Sequence, residues 1–298
     1  MSTKVEHVAE GLGHPEGPDV LPDGRIVFVE TYRSRLSAWS PERGVELFAD
    51  CGGGPNACLL GADGAVYVTQ NGGTAGPWRA AVMSTPSIQR VTSDGRVEAV
   101  VTEVGGVTLT APNDLTFGPD GRLYFTDPGD YDPVGRPHPG YVFALSPDGS
   151  GEVLEELEPT YPNGIVAEAD GSIVWVESYT LQVWRRRPDG SKEMVHQLPD
   201  GHVPDGLKVA ANGDLWITAF QAGGVDVIHA DGTPVRFVET GGVQCNCLLH
   251  DGWLYLTDFG DVAGDLPETA PMIGRLSRVR VDVEGMPLFR GSIAAVAA

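Results

Sequence analysis

The chain has 298 residues, and its 40 Gly and 23 Pro fit many short strands joined by tight turns better than a helical protein. Its 20 basic against 41 acidic residues give a formal net charge of −21, with no basic stripe of the kind that nucleic-acid binding uses; Arg185-Arg186-Arg187 reads as part of a solvated strand or turn. The N-terminus has no apolar signal region and no run approaches the ~18 apolar residues that span a bilayer, so the expectation is a cytoplasmic protein with no membrane partner.

In chain order, residues 5–10 read first, as a short strand. From Pro15 a unit then recurs: an oxygen-bearing residue, a short apolar strand, a turn and a second apolar strand. The copies are PEGPDVLPDGRIVFVE from Pro15, PNACLLGADGAVYVTQ from Pro55 and PNDLTFGPDGRLYFTD from Pro112. PNGIVAEADGSIVWVE from Pro162, PDGLKVAANGDLWITA from Pro204 and a shorter CNCLLHDGWLYLTD from Cys245 follow. Alignment stacks Glu16, Asn56, Asn113, Asn163, Asp205 and Asn246 in one column. Asp-Gly or Asn-Gly turns follow at Asp23, Asp63, Asp120, Asp170 and Asn212, with Asp251 in the short sixth copy.

Such turns between alternating apolar residues are strong hairpin signals, and a period near 40–50 residues with several strands per unit points to propeller blades. The third unit shows the plan: strands at 115–117, 122–126, 140–146 and 152–157, with Asp-Gly turns at Asp120 and Asp148. The fold class expected is all-β, a six-bladed β-propeller of four-stranded antiparallel blades around a central channel, one domain over residues 1–298. Residues 275–283 alternate as a strand of the last blade, and the strand at 5–10 would complete that blade and close the ring, leaving no open sheet edge.

Each column residue lies just before an innermost strand, so the six ring one mouth of the channel. Three long connections after second strands crowd the same mouth: residues 71–87, 128–139 and 259–273. They carry Trp78, Arg79, Tyr131 and Arg136, and loops on a rigid scaffold commonly carry recognition. The opposite mouth has mostly tight turns and is expected to be functionless.

The column has one Glu, one Asp and four Asn, all hard oxygen donors suited to Ca²⁺, Mg²⁺ or Mn²⁺. Asn beside Pro and Gly is an ordinary turn former, so four of them could be one cap repeated in every blade. Glu16 and Asp205 depart from that, placing two charges where a cap needs none. They lead the candidates, followed by Asn163 and Asn113, while Asn56 and Asn246 read as structural or as supports behind the ligands. Asp127 and Asp258, ending second strands, read as loop formers, and His14 as a hydrogen-bonded structural residue. The four cysteines, Cys51, Cys58, Cys245 and Cys247, lack metal spacing and read as reduced thiols, with Cys58 and Cys247 packing on repeat strands. No nucleophile elbow or phosphate-binding loop is present.

These motifs resemble the SMP-30/gluconolactonase/LRE family of six-bladed propellers along essentially the whole chain. The matches are PEG at Pro15, GGPNA with VTQNGG from Gly53, PND with GRLYFTDP from Pro112, PNG at Pro162 and PDG with LWITAF from Pro204. The resemblance implies one divalent cation, Ca²⁺ first with Mg²⁺, Mn²⁺ or Zn²⁺ as alternatives, held by Glu16, Asn163 and Asp205 with Asn113 beside them. It implies a hydrolase opening a small lactone or ester, with Asp205 as general base and Asn113 at the substrate. Sugar-lactone members carry an Arg two residues before the PND Asn, where this chain has Ala111, so the sugar is not implied; Arg79 or Arg136 could replace it from the loops. The rival expectations are a phosphotriesterase-like hydrolase on the same metal site, a non-catalytic binding propeller, and a metal-independent biosynthetic or isomerase role. A monomer or small homo-oligomer is expected.

Overall fold

The Asp-Gly turns are built alike. Asp120 Oδ1 accepts the Arg122 amide at 3.1 Å, and Asp63 and Asp170 do the same for Ala65 and Ser172. The Gly that follows takes a left-handed φ, 79° at Gly121, which a side chain would strain. In the sixth unit Asp251 (φ 52°) and Gly252 (φ 70°) form a two-residue loop with both residues left-handed, the pattern of a type I′ hairpin.

These hairpins build a computed structural model that describes residues 4–261 and 267–294. Six four-stranded antiparallel sheets stand in a ring. Their innermost strands are Pro15–Val20, Pro55–Leu60, Leu115–Phe117, Pro162–Ala167, Pro204–Val209 and Gln244–His250, and successive ones pack against each other around the axis. The last sheet is completed by Val5–Leu12, which pairs antiparallel with Gly274–Arg280 as Val5↔Val279 through Leu12↔Gly274. The ring therefore closes as the alternation at both ends implied, although the penultimate strand stops at Arg280 rather than at residue 283. The only helical turn among the described residues is Thr31–Arg33, and no helix is long and apolar enough to cross a membrane.

Apolar clusters fill the gaps between neighbouring blades. One joins Leu59, Tyr67 and Ile88 to Phe117, Phe125 and Phe143, and it includes Ile293 from the C-terminal segment. That segment was not legible as an element. It crosses the mouth opposite the column: Met286 N donates to Val209 O, Ala62 N to Gly291 O, Ile293 N to Tyr67 Oη and Ala294 N to Pro147 O. The far mouth is thus sealed by chain, and not merely fringed by turns.

Candidate metal centre

The column is not placed just before the inner strands, as the repeat suggested. Five of its members lie inside the strand, where the ladder skips a residue: between Glu16 and Asp19, Pro55 and Ala57, Pro162 and Ile165, Pro204 and Leu207, and Gln244 and Asn246. Bulges of this kind re-aim side chains, here towards the axis.

Register also corrects the sixth member. Gln244 stands opposite Asp258, as Pro55 stands opposite Gln70 and Pro204 opposite Ala219. The next residue, Cys245, is therefore the equivalent of Asn56 and Asp205. The threonines of the second strands agree: Thr69 Oγ1 donates to the Asn113 carbonyl (2.5 Å), Thr126 to Asn163 (2.7 Å) and Thr218 to Cys245 (2.8 Å). Asn246 belongs one layer deeper, with Asp114. Its backbone N–H donates to Thr257 Oγ1 as the Asp114 backbone N–H donates to Thr126 Oγ1.

The corrected ring is Glu16, Asn56, Asn113, Asn163, Asp205 and Cys245. Ligand atoms of Glu16, Asp205 and Cys245 all lie within 4.8 Å of one another. Asn163 reaches Asp205 with its side chain and donates to Ser178 Oγ at 3.2 Å; Ser178 in turn donates to the Pro204 carbonyl at 2.7 Å. Asn56 Nδ2 donates to the Asn113 carbonyl at 3.2 Å, tying blade two to blade three. Below them Asn246 Nδ2 donates to Asp114 Oδ2 (3.1 Å), and Lys208 Nζ donates to Asn246 Oδ1 (3.3 Å).

Burial, then repulsion from Asp205 and Asp114, holds the Glu16 carboxyl well above the usual carboxylate range, against hydrogen bonds from Gly17 and Asn246. Burial, then Asp114, does the same to Asp205. Neither has a Lys or Arg ion-pair partner among the described residues. Two clustered carboxylates, Glu16 buried and Asp205 half-buried, without a counter-cation and flanked by amide oxygens, fit a divalent ion: it would remove the repulsion and stabilise both charged forms.

Above this floor opens a pocket of about 650 Å³, counted out to solvent. Glu16, Asn56, Asn113, Asn163 and Asp205 line it, and Asn246 does not. Its wall includes a second ring, the residues that precede each blade's entry proline: His14, Ala111, Tyr161 and Val203. A signal for this ring was present in the sequence, as an X-Pro step leading into five of the six column members.

His14 departs from expectation. Its Nδ1 is buried without a hydrogen-bond partner, its ring packs on Phe259 (4.5 Å) and Tyr32 (5.1 Å), and burial pushes its pKa down to about 3, so the imidazole is neutral.

Of the long loops, residues 71–87 supply Asn71, Thr74 and Ala75 to the wall, and residues 128–139 supply Gly129, Asp130 and Tyr131. The third, 259–273, supplies none among its described residues, and 262–266 lie outside them. Arg79 and Arg136 do not line the pocket. Arg79 is held by Asp130 at 2.7 Å, and Arg136 lies over the Tyr179 ring at 4.8 Å. Asp127 accepts the amides of Thr110, Ala111 and Gly129, and Asp258 those of Val243 and Gly260, so both order loops.

The chain is similar to known proteins along most of its length. Over 268 residues the chain is 26% identical to a gluconolactonase of Zymomonas mobilis subsp. mobilis, covering 78% of this chain and 71% of that one. It is 26% identical over 313 residues to the pentonolactonase XacC of Haloferax volcanii, covering 98% of each. Its fold is also that of a calcium-binding regucalcin from Agrobacterium tumefaciens (TM-score 0.76, 16% identity, 100% of this chain and 99% of that one). Residues 14–257 match the model of the SMP-30/Gluconolactonase/LRE-like region, and the chain belongs to that family.

Proposed function

We propose that this propeller is a divalent-cation-dependent hydrolase that opens a lactone ring. The observation that carries the proposal is the Glu16–Asp205 pair: a buried and a half-buried carboxylate, close together and without a cationic partner, on the floor of an open pocket. Glu16, Asn163, Asp205 and Asn113 would hold the ion, and these four oxygen donors, taken by themselves, suit a hard cation such as Ca²⁺. When bound, the cation would polarise the ester carbonyl and stabilise the charge that develops on its oxygen.

The protein's own residues do the rest. Asp205 would take the proton of the attacking water on its carboxylate. Asn163, itself fixed by Ser178, orients that carboxylate. Asn113 and Asn56 present amides to the substrate's polar edge, while Ala75, Ala111, Tyr161, Val203 and Phe220 exclude water from the other side.

The names of the gluconolactonase and pentonolactonase relatives support the lactone class. No Lys or Arg is found among the residues lining the pocket, which favours a neutral substrate over an anionic one.

The test is hydrolysis of a lactone panel with and without chelator, beside Asp205→Asn. Chelation should abolish turnover and a divalent ion restore it, and the variant should lose at least about 10²-fold in kcat while staying folded. Full activity in chelator, or in the folded variant, overturns the reading.

A further inference from the structure

Cys245 is a soft sulfur donor in a ring otherwise made of oxygens. Its place there follows from register: it occupies the bulge that aims Asn56 and Asp205 at the axis. The other repeat-strand cysteines sit deeper and donate to carbonyls, Cys58 to Gly17 at 3.1 Å and Cys247 to Trp216 at 3.8 Å. The Cys245 thiol makes a long contact to Val243 O at 3.8 Å and meets the Phe259 backbone amide, and its sulfur stays within 4.8 Å of ligand oxygens of both Glu16 and Asp205.

We infer that Cys245 is itself a ligand of the cation, making the site selective for a thiophilic divalent ion such as Zn²⁺ or Cd²⁺ over Ca²⁺. This rests on the reading of Glu16 and Asp205 as cation ligands. In the tetrahedral arrangement zinc prefers, metal–ligand lengths of about 2.3 Å to sulfur and about 2.1 Å to oxygen set ligand atoms about 3.4–3.6 Å apart. From separations of at most 4.8 Å, the three side chains therefore need to draw in by about 1 Å, within the reach of a rotamer adjustment.

Thiolate selects zinc-like ions, whereas a carboxylate and amide set alone selects calcium-like ones. On ligation the sulfur–hydrogen bond breaks, the proton leaves to solvent and the sulfur lone pair binds the ion, so no oxidant or reductant is needed. Cys245 is fully buried against Tyr32 and Phe259 and does not line the pocket, which leaves the open side of the ion to substrate.

The experiment titrates Cd²⁺ into the metal-free full chain and follows the ultraviolet sulfur-to-cadmium charge-transfer band, with bound metal counted separately. Wild type and Cys247→Ser should develop the band to one equivalent. Cys245→Ser should lack it and bind Cd²⁺ at least tenfold more weakly, with Ca²⁺ affinity undiminished. One bound equivalent with no band, or a band that survives in Cys245→Ser, overturns the inference and leaves the carboxylate site standing. Binding of neither Cd²⁺ nor Ca²⁺ to wild type overturns both readings. Should Cys245→Ser not fold, X-ray absorption on the zinc-loaded wild type decides: a sulfur neighbour at about 2.3 Å supports the inference and an all-oxygen or nitrogen shell sinks it.

Discussion

Asn246 Nδ2 donates to Asp114 Oδ2 at 3.1 Å, one layer beneath Glu16 and Asp205, so three carboxyls, two buried and that of Asp205 half-buried, share one channel with Lys208. The cost of that clustering sets a pH dependence. Burial and mutual repulsion raise the folded-state pKa of Glu16 and Asp205, so the folded protein holds their protons more tightly than the unfolded chain. Stability then falls as pH rises from the unfolded carboxylate value of about 4 to the raised folded values, and the penalty is complete above them. In chelator, Asp205→Asn should therefore melt several degrees above wild type at about pH 8, with the gap narrowing towards about pH 5. Thermal melts at the two pH values check this. A metal-free variant that melts below wild type at the higher pH would contradict it.

Ser178 is a positioning residue, since it touches Asn163 and the Pro204 carbonyl but offers no ligand of its own. Ser178→Ala should cost about 1 kcal/mol of stability, the worth of an ordinary buried hydrogen bond. Its larger effect should be on the ion, with affinity falling about 10- to 100-fold as Asn163 loses its orientation. Calorimetric titration with Ca²⁺ and with Zn²⁺ measures it, and an unchanged affinity would mean that Asn163 is not held this way.

Gly206 follows Asp205 and leaves room for the layer below. A Cβ there would stand 2.3 Å from Asn246 Cγ, and Asn246 is itself held by Asp114 and Lys208. Gly206→Ala must push Asn246 away and leave Asp114 and Lys208 without their amide partner in a buried channel. Loss of about 2–3 kcal/mol is expected. Chemical denaturation reads it, and a near-neutral result would show that the channel repacks freely.

How legible each feature was follows from how local its cause is. The turns at Asp63, Asp120 and Asp170 were readable because an Asp side chain caps an amide two residues on, a bond contained within the motif. Four blades carry Pro followed by a column residue inside the strand, and alignment found those members directly. Cys245 was missed because the sixth hairpin is shorter, and its register is fixed across strands by Thr257 and Thr218 and not by anything next to it in sequence. Lys208 and Asp114 were passed over for a related reason: residues on a strand read as alternating core until the axis gives them a common partner. The C-terminal seal has no periodicity at all. Its contacts with Asp19 and Tyr67 span 271 and 226 residues.

That seal supplies the last prediction. Asp19 is fully buried and accepts the amides of Val20 and Leu60, each at 2.7 Å. Its remaining charge is met by Arg290, which bridges both carboxylate oxygens and also donates to the Leu60 carbonyl at 2.8 Å. Removing one partner of such a pair strands the other in a low-dielectric interior, at a cost near 3–5 kcal/mol when both are buried. Arg290 keeps 25% of its side-chain surface exposed, so water can partly replace it and the lower end, about 3 kcal/mol, is expected of Arg290→Ala. Asp19→Asn together with Arg290→Ala should recover part of that loss, because the stranded charge is gone. Since the pair lies at the mouth opposite Glu16 and Asp205, cation affinity in both variants should stay within about twofold of wild type, a spread of about 0.4 kcal/mol. A double variant no more stable than Arg290→Ala would mean that the seal acts through packing of Ile293 and Phe289, and not through the ion pair.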